Sequence, residues 1–152
     1  TNTMYGTEGL KLLEKGLNPS EALSRLLARD DEPEKRQVAI IDIMNRKAVH
    51  TGNLCPSWHG EVIGEDYIII GNLITGEDVL LSAEKALIET RGSIVKKLIS
   101  ALVAGEKAGG DRRGNRSAGI LIKGQINIYE RIDNNSSPAQ KLYNILKKKF
   151  DW

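Results

Sequence analysis

The stretch Ala108-Gly109-Gly110-Asp111-Arg112-Arg113-Gly114-Asn115-Arg116-Ser117-Ala118-Gly119-Ile120-Leu121-Ile122 separates a helical middle of the chain from an apolar strand, and its reading sets both the fold and the site. It gathers glycines, one carboxylate, three arginines and a hydroxyl directly before that strand. Gly109, Gly110 and Gly114 permit φ > 0 and a close backbone approach to a ligand, so the charged side chains between them are aimed rather than merely solvated. Taken alone, the stretch fits equally well a turn whose Asp and Arg residues pair in water. The flanking pattern has to decide.

Ahead of it, Val79, Leu80, Ala83, Ala86 and Leu87 form one apolar stripe, and Ile94, Val95, Leu98, Ile99 and Leu102 form another. Their spacing predicts two helices separated by Arg91-Gly92. Behind it, residues 118–123 read as a strand, Gly124-Gln125 as a tight turn, and residues 126–132 alternate apolar and polar side chains as a half-buried strand does. Asn134-Asn135-Ser136-Ser137-Pro138 is a loop with a helix start, and Leu142, Tyr143, Ile145 and Leu146 are the inward face of a final helix. Lys147-Lys148-Lys149 complements the dipole at the end of that helix and needs no nucleic acid to explain it.

The first half of the chain repeats this grammar. Residues 7–16 read as a short helix ending at Gly16, and Asn18-Pro19-Ser20-Glu21 caps a second one whose apolar face is Ala22, Leu23, Leu26 and Leu27. Asp30-Asp31-Glu32-Pro33-Glu34-Lys35-Arg36 reads as a solvated charged connector. Residues 37–43 and 48–51 are strands joined at Asn45-Arg46, and residues 67–70 are a continuous apolar strand suited to a sheet covered on both faces. Gly71-Asn72 ends that strand, with Thr75 or Gly76 near the next helix cap. Helix pairs alternating with antiparallel strand groups predict an α+β fold, helices layered on antiparallel sheets, in one domain spanning residues 1–152.

Composition narrows the function. The chain has 152 residues, of which 40% are hydrophobic, enough for one domain with a real core. Its 22 Lys and Arg against 20 Asp and Glu leave a formal charge of +2, and aromatics make up only 5%. Neither an electrostatic footprint nor stacking platforms for nucleic acid are present. A lone cysteine, Cys55, excludes an internal disulfide and fits a reducing compartment. No apolar run reaches membrane-spanning length and the start does not resemble a signal peptide, so the expected location is the cytoplasm, away from membranes. His50, Cys55 and His59 fall within ten positions, but they offer no close His pair and no second cysteine. No metal, no cofactor and no Cys–His nucleophile are expected.

Two further positions carry chemistry. Asn72, at a strand end leading into a helix, is placed to join helix-terminal N–H groups as an oxyanion donor, or else to satisfy turn backbone. The sequence opens Thr-Asn-Thr-Met, and a free N-terminal Thr1 would have its hydroxyl activated by its own α-amino group, whose ordinary pKa is about 8.

Taken together, Tyr5-Gly6-Thr7-Glu8-Gly9-Leu10, Arg36-Gln37-Val38, His50-Thr51-Gly52, Gly71-Asn72-Leu73, Ala108-Gly109-Gly110-Asp111-Arg112-Arg113-Gly114 with Ser117-Ala118, and Arg131-Ile132-Asp133 resemble a bacterial and archaeal family of unknown function assigned to the N-terminal nucleophile (Ntn) hydrolase superfamily. The resemblance implies a four-layer αββα sandwich, a nucleophile at a processed N-terminus, and amide hydrolysis. Some members of the family carry an added domain thought to bind peptidoglycan. Where the family usually has glutamine, this chain has Arg116. The family's suspected threonine nucleophile heads strands upstream of Thr1, so Thr1 is either a processed nucleophile or a cut end, with this chain the C-terminal portion of the sandwich; the second reading is preferred. In the amidohydrolase so implied, Asp111 and Arg113 orient and charge the site, Ser117 hydrogen-bonds the amino terminus and Asn72 is the oxyanion donor. The expected partners are a small-molecule or peptide-like substrate, an upstream segment of the same precursor, and further copies of the chain in a homo-oligomer. The alternative is a non-catalytic ligand-binding or assembly protein in which Asp111 and Arg113 are an ion pair holding a loop.

Overall fold

A computed structural model describes residues 2–152 of the chain. Its contacts divide into two compact units, Thr1–Asn72 and Leu73–Trp152. In the first, helix α1 (Met4–Glu14) begins ahead of the expected Thr7. It ends as the sequence says it should. Gly16, at φ 88°, turns the chain so that its N–H donates to Leu13 O and that of Leu17 to Leu12 O, the paired bonds of a glycine C-cap. Helix α2 (Pro19–Leu27) starts with a complete capping box: the Asn18 side chain accepts from the Glu21 N–H, and the Glu21 carboxylate accepts from the Asn18 N–H, both at 3.0 Å.

Strands β1 (Gln37–Ile41) and β2 (Lys47–Thr51) pair antiparallel, with Val38 opposite His50 and Ile40 opposite Ala48. Because side chains alternate across a strand, Val38, Ile40 and Ala48 share one face, and it packs against the buried Tyr5, Leu23 and Leu26 of the two helices. The expected strand at residues 67–70 is β4 (Ile68–Gly71), and it is not alone: β3 (Gly60–Ile63) pairs with it, Val62 opposite Ile69. Each residue of β4 is half-buried rather than enclosed on both faces.

The charged connector departs from its reading as a solvated loop. The Asp30 side chain is only 4% exposed and Arg36 19%, and the guanidinium grips the carboxylate with two bonds, 2.7 and 2.9 Å. Asn2 Nδ2 and the Glu32 N–H also donate to Asp30. These donors, Arg36 foremost, hold its carboxyl well below the usual carboxylate range. The Tyr5 hydroxyl is buried beside this group without a hydrogen bond of normal geometry, and it is pushed up to about 12, first by burial and then by Asp30. The signs oppose each other. A depressed carboxyl stabilises the fold above its unfolded pKa of about 3.9 and loses that contribution as pH falls through the folded value. A raised phenol stabilises it below about 10 and loses that contribution as pH climbs toward about 12. Asp30→Asn is therefore expected to lower the urea midpoint at pH 7, and the gap to wild type should close as the pH is taken below 4. A gap unchanged down to pH 2 would contradict the assignment.

The second unit contains α3 (Asp78–Glu89), α4 (Ile94–Lys107), the antiparallel pair β5 (Ala118–Ile122) and β6 (Ile128–Ile132), and α5 (Pro138–Phe150). Val95 and Ile99 of α4, Ile120 and Ile128 of the hairpin, and Leu142 and Leu146 of α5 make its core. Gly105 lets α4 lie close to α3, since a Cβ there would sit 3.4 Å from Val79 O. Glu106 reaches from α4 to the start of α5, accepting from the Ala139 and Gln140 N–H groups at 2.9 and 3.2 Å, a cap supplied from another helix. Lys149, in the basic run, pairs with Glu130 as well as facing the helix end. The described residues thus form an α+β protein with three separate two-stranded antiparallel sheets. Among them no helix is long and apolar enough to cross a membrane.

Candidate functional site

The glycine-rich stretch begins with a backbone clasp. The Thr75 N–H donates to Gly110 O at 3.0 Å, the Arg112 N–H donates to Leu73 O at 2.9 Å, and Ile74 bridges Asp111 antiparallel. The chain around residue 74 is therefore occupied with pairing, and the helix after it starts only at Asp78. Gly109, Gly110 and Gly114 all have positive φ, as their sequence context requires. At Gly110 the reason is contact as well as conformation: a Cβ there would lie 2.3 Å from Asn115 Oδ1. That oxygen accepts the Asp111 N–H at 3.0 Å, and the Gly114 N–H donates to Asp111 O at 2.8 Å. The loop is internally braced.

Within it, Arg113 closes on Asp111. The carboxylate accepts the Arg113 backbone N–H at 2.8 Å, Nε at 2.9 Å and Nη2 at 2.6 Å. The guanidinium bonds hold the Asp111 carboxyl below its ordinary value against an opposing push from burial, and Asp111 in turn raises Arg113. Asp111 stays ionised and its charge is spent on its neighbour. Both residues line a concavity of ≈ 450 Å³ together with Gly114, Asn115, Arg116 and Ser117. A second one, of ≈ 360 Å³, shares the Arg113–Arg116 side and is completed by Asn134, Asn135 and Ser136.

Three of the expected residues, Asp111, Arg113 and Ser117, are thus brought to one loop. Ser117 is exposed and its hydroxyl has no hydrogen-bond partner among the described residues. Asn72 belongs to the other compact unit, and instead of joining helix-terminal N–H groups it donates through Nδ2 to Gln37 Oε1 at 2.9 Å. Gln37 has no freedom to flip: its Nε2 donates to Gly60 O at 3.0 Å and Gly71 O at 3.1 Å, which leaves Oε1 facing Asn72. Among the described residues, one Asn72 N–H is consumed in this way and the other is not. Thr1 lies outside the described residues. His50 Nε2 lies 3.0 Å from Pro33 O, Cys55 is buried, and among the described residues no three His, Cys, Asp or Glu side chains group to hold a metal.

The clasp made by Gln37 and the loop brace made by Asn115 emerge only in the structure. Asn within a Gly-rich turn is a recognisable backbone-capping signal. A strand-end glutamine carries no comparable mark.

These features define an α+β protein with a braced Asp–Arg loop beside a polar concavity. The chain belongs to DUF1028, a family of unknown function, whose pattern matches residues 1–142. It is also similar to a solved DUF1028 structure, protein SPO2555 from Silicibacter pomeroyi, at 27% identity and a TM-score of 0.87, over 97% of this chain and 67% of that one. No curated protein matches it.

Proposed function

We propose that this protein is an Ntn-type amidohydrolase, built as part of an αββα sandwich, that cleaves an amide or peptide-like bond. The observation that carries the reading is the Asp111–Arg113 pair, fixed by bidentate bonds at the edge of a concavity that Ser117 also lines. In the reaction, the α-amino group of a processed N-terminal threonine takes the proton from its own hydroxyl, and the alkoxide attacks the amide carbonyl. An N–H donor stabilises the resulting oxyanion, the amine leaves with the transferred proton, and water hydrolyses the acyl ester to regenerate the threonine. Asp111 and Arg113 orient the site, and Ser117 accepts from the ammonium.

The test is intact-mass analysis of the whole expressed gene product, followed by mapping of a hydroxyl-reactive β-lactone. Processing with labelling of the new N-terminal threonine is the expected result. Labelling that persists in a Thr1→Ala protein moves the nucleophile upstream; an unprocessed, unlabelled product overturns the hydrolase reading. In the processed protein, Asp111→Ala should fold and lose at least about 100-fold in amide turnover, the scale of losing one electrostatic contribution to a transition state. Unchanged turnover would count against the role given to Asp111. One observation favours a second reading, a non-catalytic binding or assembly protein: Asp111 and Arg113 saturate each other within their own loop, as an ion pair holding a loop does.

A further inference from the structure

Three side chains that line the concavities beside the loop, Asn115, Arg116 and Asn135, keep N–H donors that no acceptor among the described residues takes. Arg36, Arg46, Arg113 and Arg131 are each held by an aspartate. The Arg116 guanidinium has neither an ion pair nor a hydrogen bond among the described residues, and it lines both concavities. Its backbone is nevertheless fixed, because its carbonyl accepts the Asn135 N–H at 3.1 Å. The two flanking amides have their oxygens turned inward. Asn115 Oδ1 accepts from Asp111 N–H, and Asn135 Oδ1 accepts from the Ser137 N–H at 2.9 Å. An amide whose oxygen is consumed presents its NH₂ group, so Asn115 and Asn135 add donors beside a cation.

Charge then selects the ligand. Among the residues that line the first concavity Asp111 and Arg113 cancel, which leaves one positive charge, that of Arg116; Arg112 acts on Asp111 but lines neither concavity. A carboxylate, planar and singly charged, matches both the guanidinium fork and that single charge, whereas a phosphate monoester brings a charge of about −1.5 to −2. We infer that this donor-rich concavity binds a ligand carboxylate, with Arg116 as its counter-charge. Calling that ligand the substrate, and so assigning the enzyme to amides that carry a free carboxylate such as N-acyl amino acids or short peptides, rests on the amidohydrolase reading. The carboxylate binding itself does not.

The experiment titrates ¹⁵N-labelled full chain with N-acetylalanine and, separately, with N-acetylalaninamide, which differs at the terminal group. N-acetylalanine should shift the Arg116 Nε–H and the Asn115 and Asn135 NH₂ signals saturably, and the neutral amide should not. Arg116→Gln should weaken that binding at least ten-fold while the remaining spectrum stays in place, and Arg116→Lys should restore part of it. Equal responses to both compounds, or unchanged binding by Arg116→Gln, would overturn the inference. Tighter binding of inorganic phosphate than of N-acetylalanine would overturn it in favour of a phosphoryl ligand. A protein that binds the carboxylate yet cleaves no amide sinks the hydrolase reading and leaves this one standing.

Discussion

A Gly52→Ala protein is expected to lose about 3 kcal/mol of stability, the scale of forcing an atom into a packed site with no flexible neighbour. Gly52 is buried, and a Cβ built on it falls 2.3 Å from Glu34 O and 2.5 Å from Glu34 Cα, both backbone atoms. Glu34 cannot retreat without breaking several bonds. Its carbonyl accepts the Leu54 N–H at 2.8 Å, its carboxylate accepts the Asn53 N–H at 2.8 Å, and the Gly52 N–H itself donates to Arg36 O at 2.9 Å. The chain has two tryptophans, Trp58 and Trp152, one in each compact unit. In a Trp152→Phe background the emission of Trp58 reports the first unit, and its urea midpoint should fall sharply with Gly52→Ala. Gly6→Ala is the matched control, since a Cβ there meets nothing within 4 Å and Ala is favoured over Gly in a helix by about 0.5–1 kcal/mol. Equal midpoints for the two glycine variants would show that the Gly52–Glu34 contact is not the constraint described.

In the second unit the largest loss is expected from Leu142→Ala, again about 3 kcal/mol, from the lost transfer energy of the side chain and the cavity it leaves. Leu142 is 0% exposed and lies where α5 meets α4 and the β5–β6 hairpin. Ile145, on the same helix and 39% exposed, should cost well under half as much when truncated to alanine. Trp152 packs edge-on to Tyr143 with ring centroids 5.4 Å apart, with Lys96 Nζ 5.6 Å from its ring centroid, so its emission follows this core directly. Similar midpoints for Leu142→Ala and Ile145→Ala would contradict the placement of α5.

Local signals carried far in the sequence. Asn18-Pro19-Ser20-Glu21 specifies a helix start because the capping bonds close within four residues, and Gly16 specifies a stop for the same reason. The hairpins of residues 37–51 and 118–132 follow from alternation around turn residues. Strand β3 is not legible in the sequence, because Gly60-Glu61-Val62-Ile63 offers two apolar residues and no periodicity. The pairing of Asp30 is not legible in the sequence, because a carboxylate in a run of charges looks the same whether its partner is water or Arg36.

The candidate site divides along the same line. Gly109, Gly110 and Gly114 announced a loop with positive φ, and the Asp and Arg residues between them announced polar chemistry; these follow from backbone sterics and side-chain type alone. Membership of an α+β class was equally legible, because alternating helical and strand periods are local properties of the chain. Which polar atoms are spent and which are left over was decided only by tertiary structure. That Gln37 holds Asn72, that Asn115 and Asn135 turn their oxygens inward, and that Arg116 has no ion-pair partner among the described residues depend on how folding brings groups together. A hydrogen bond or ion pair is set by distance and direction in space, which sequence spacing does not fix once the chain has turned back on itself.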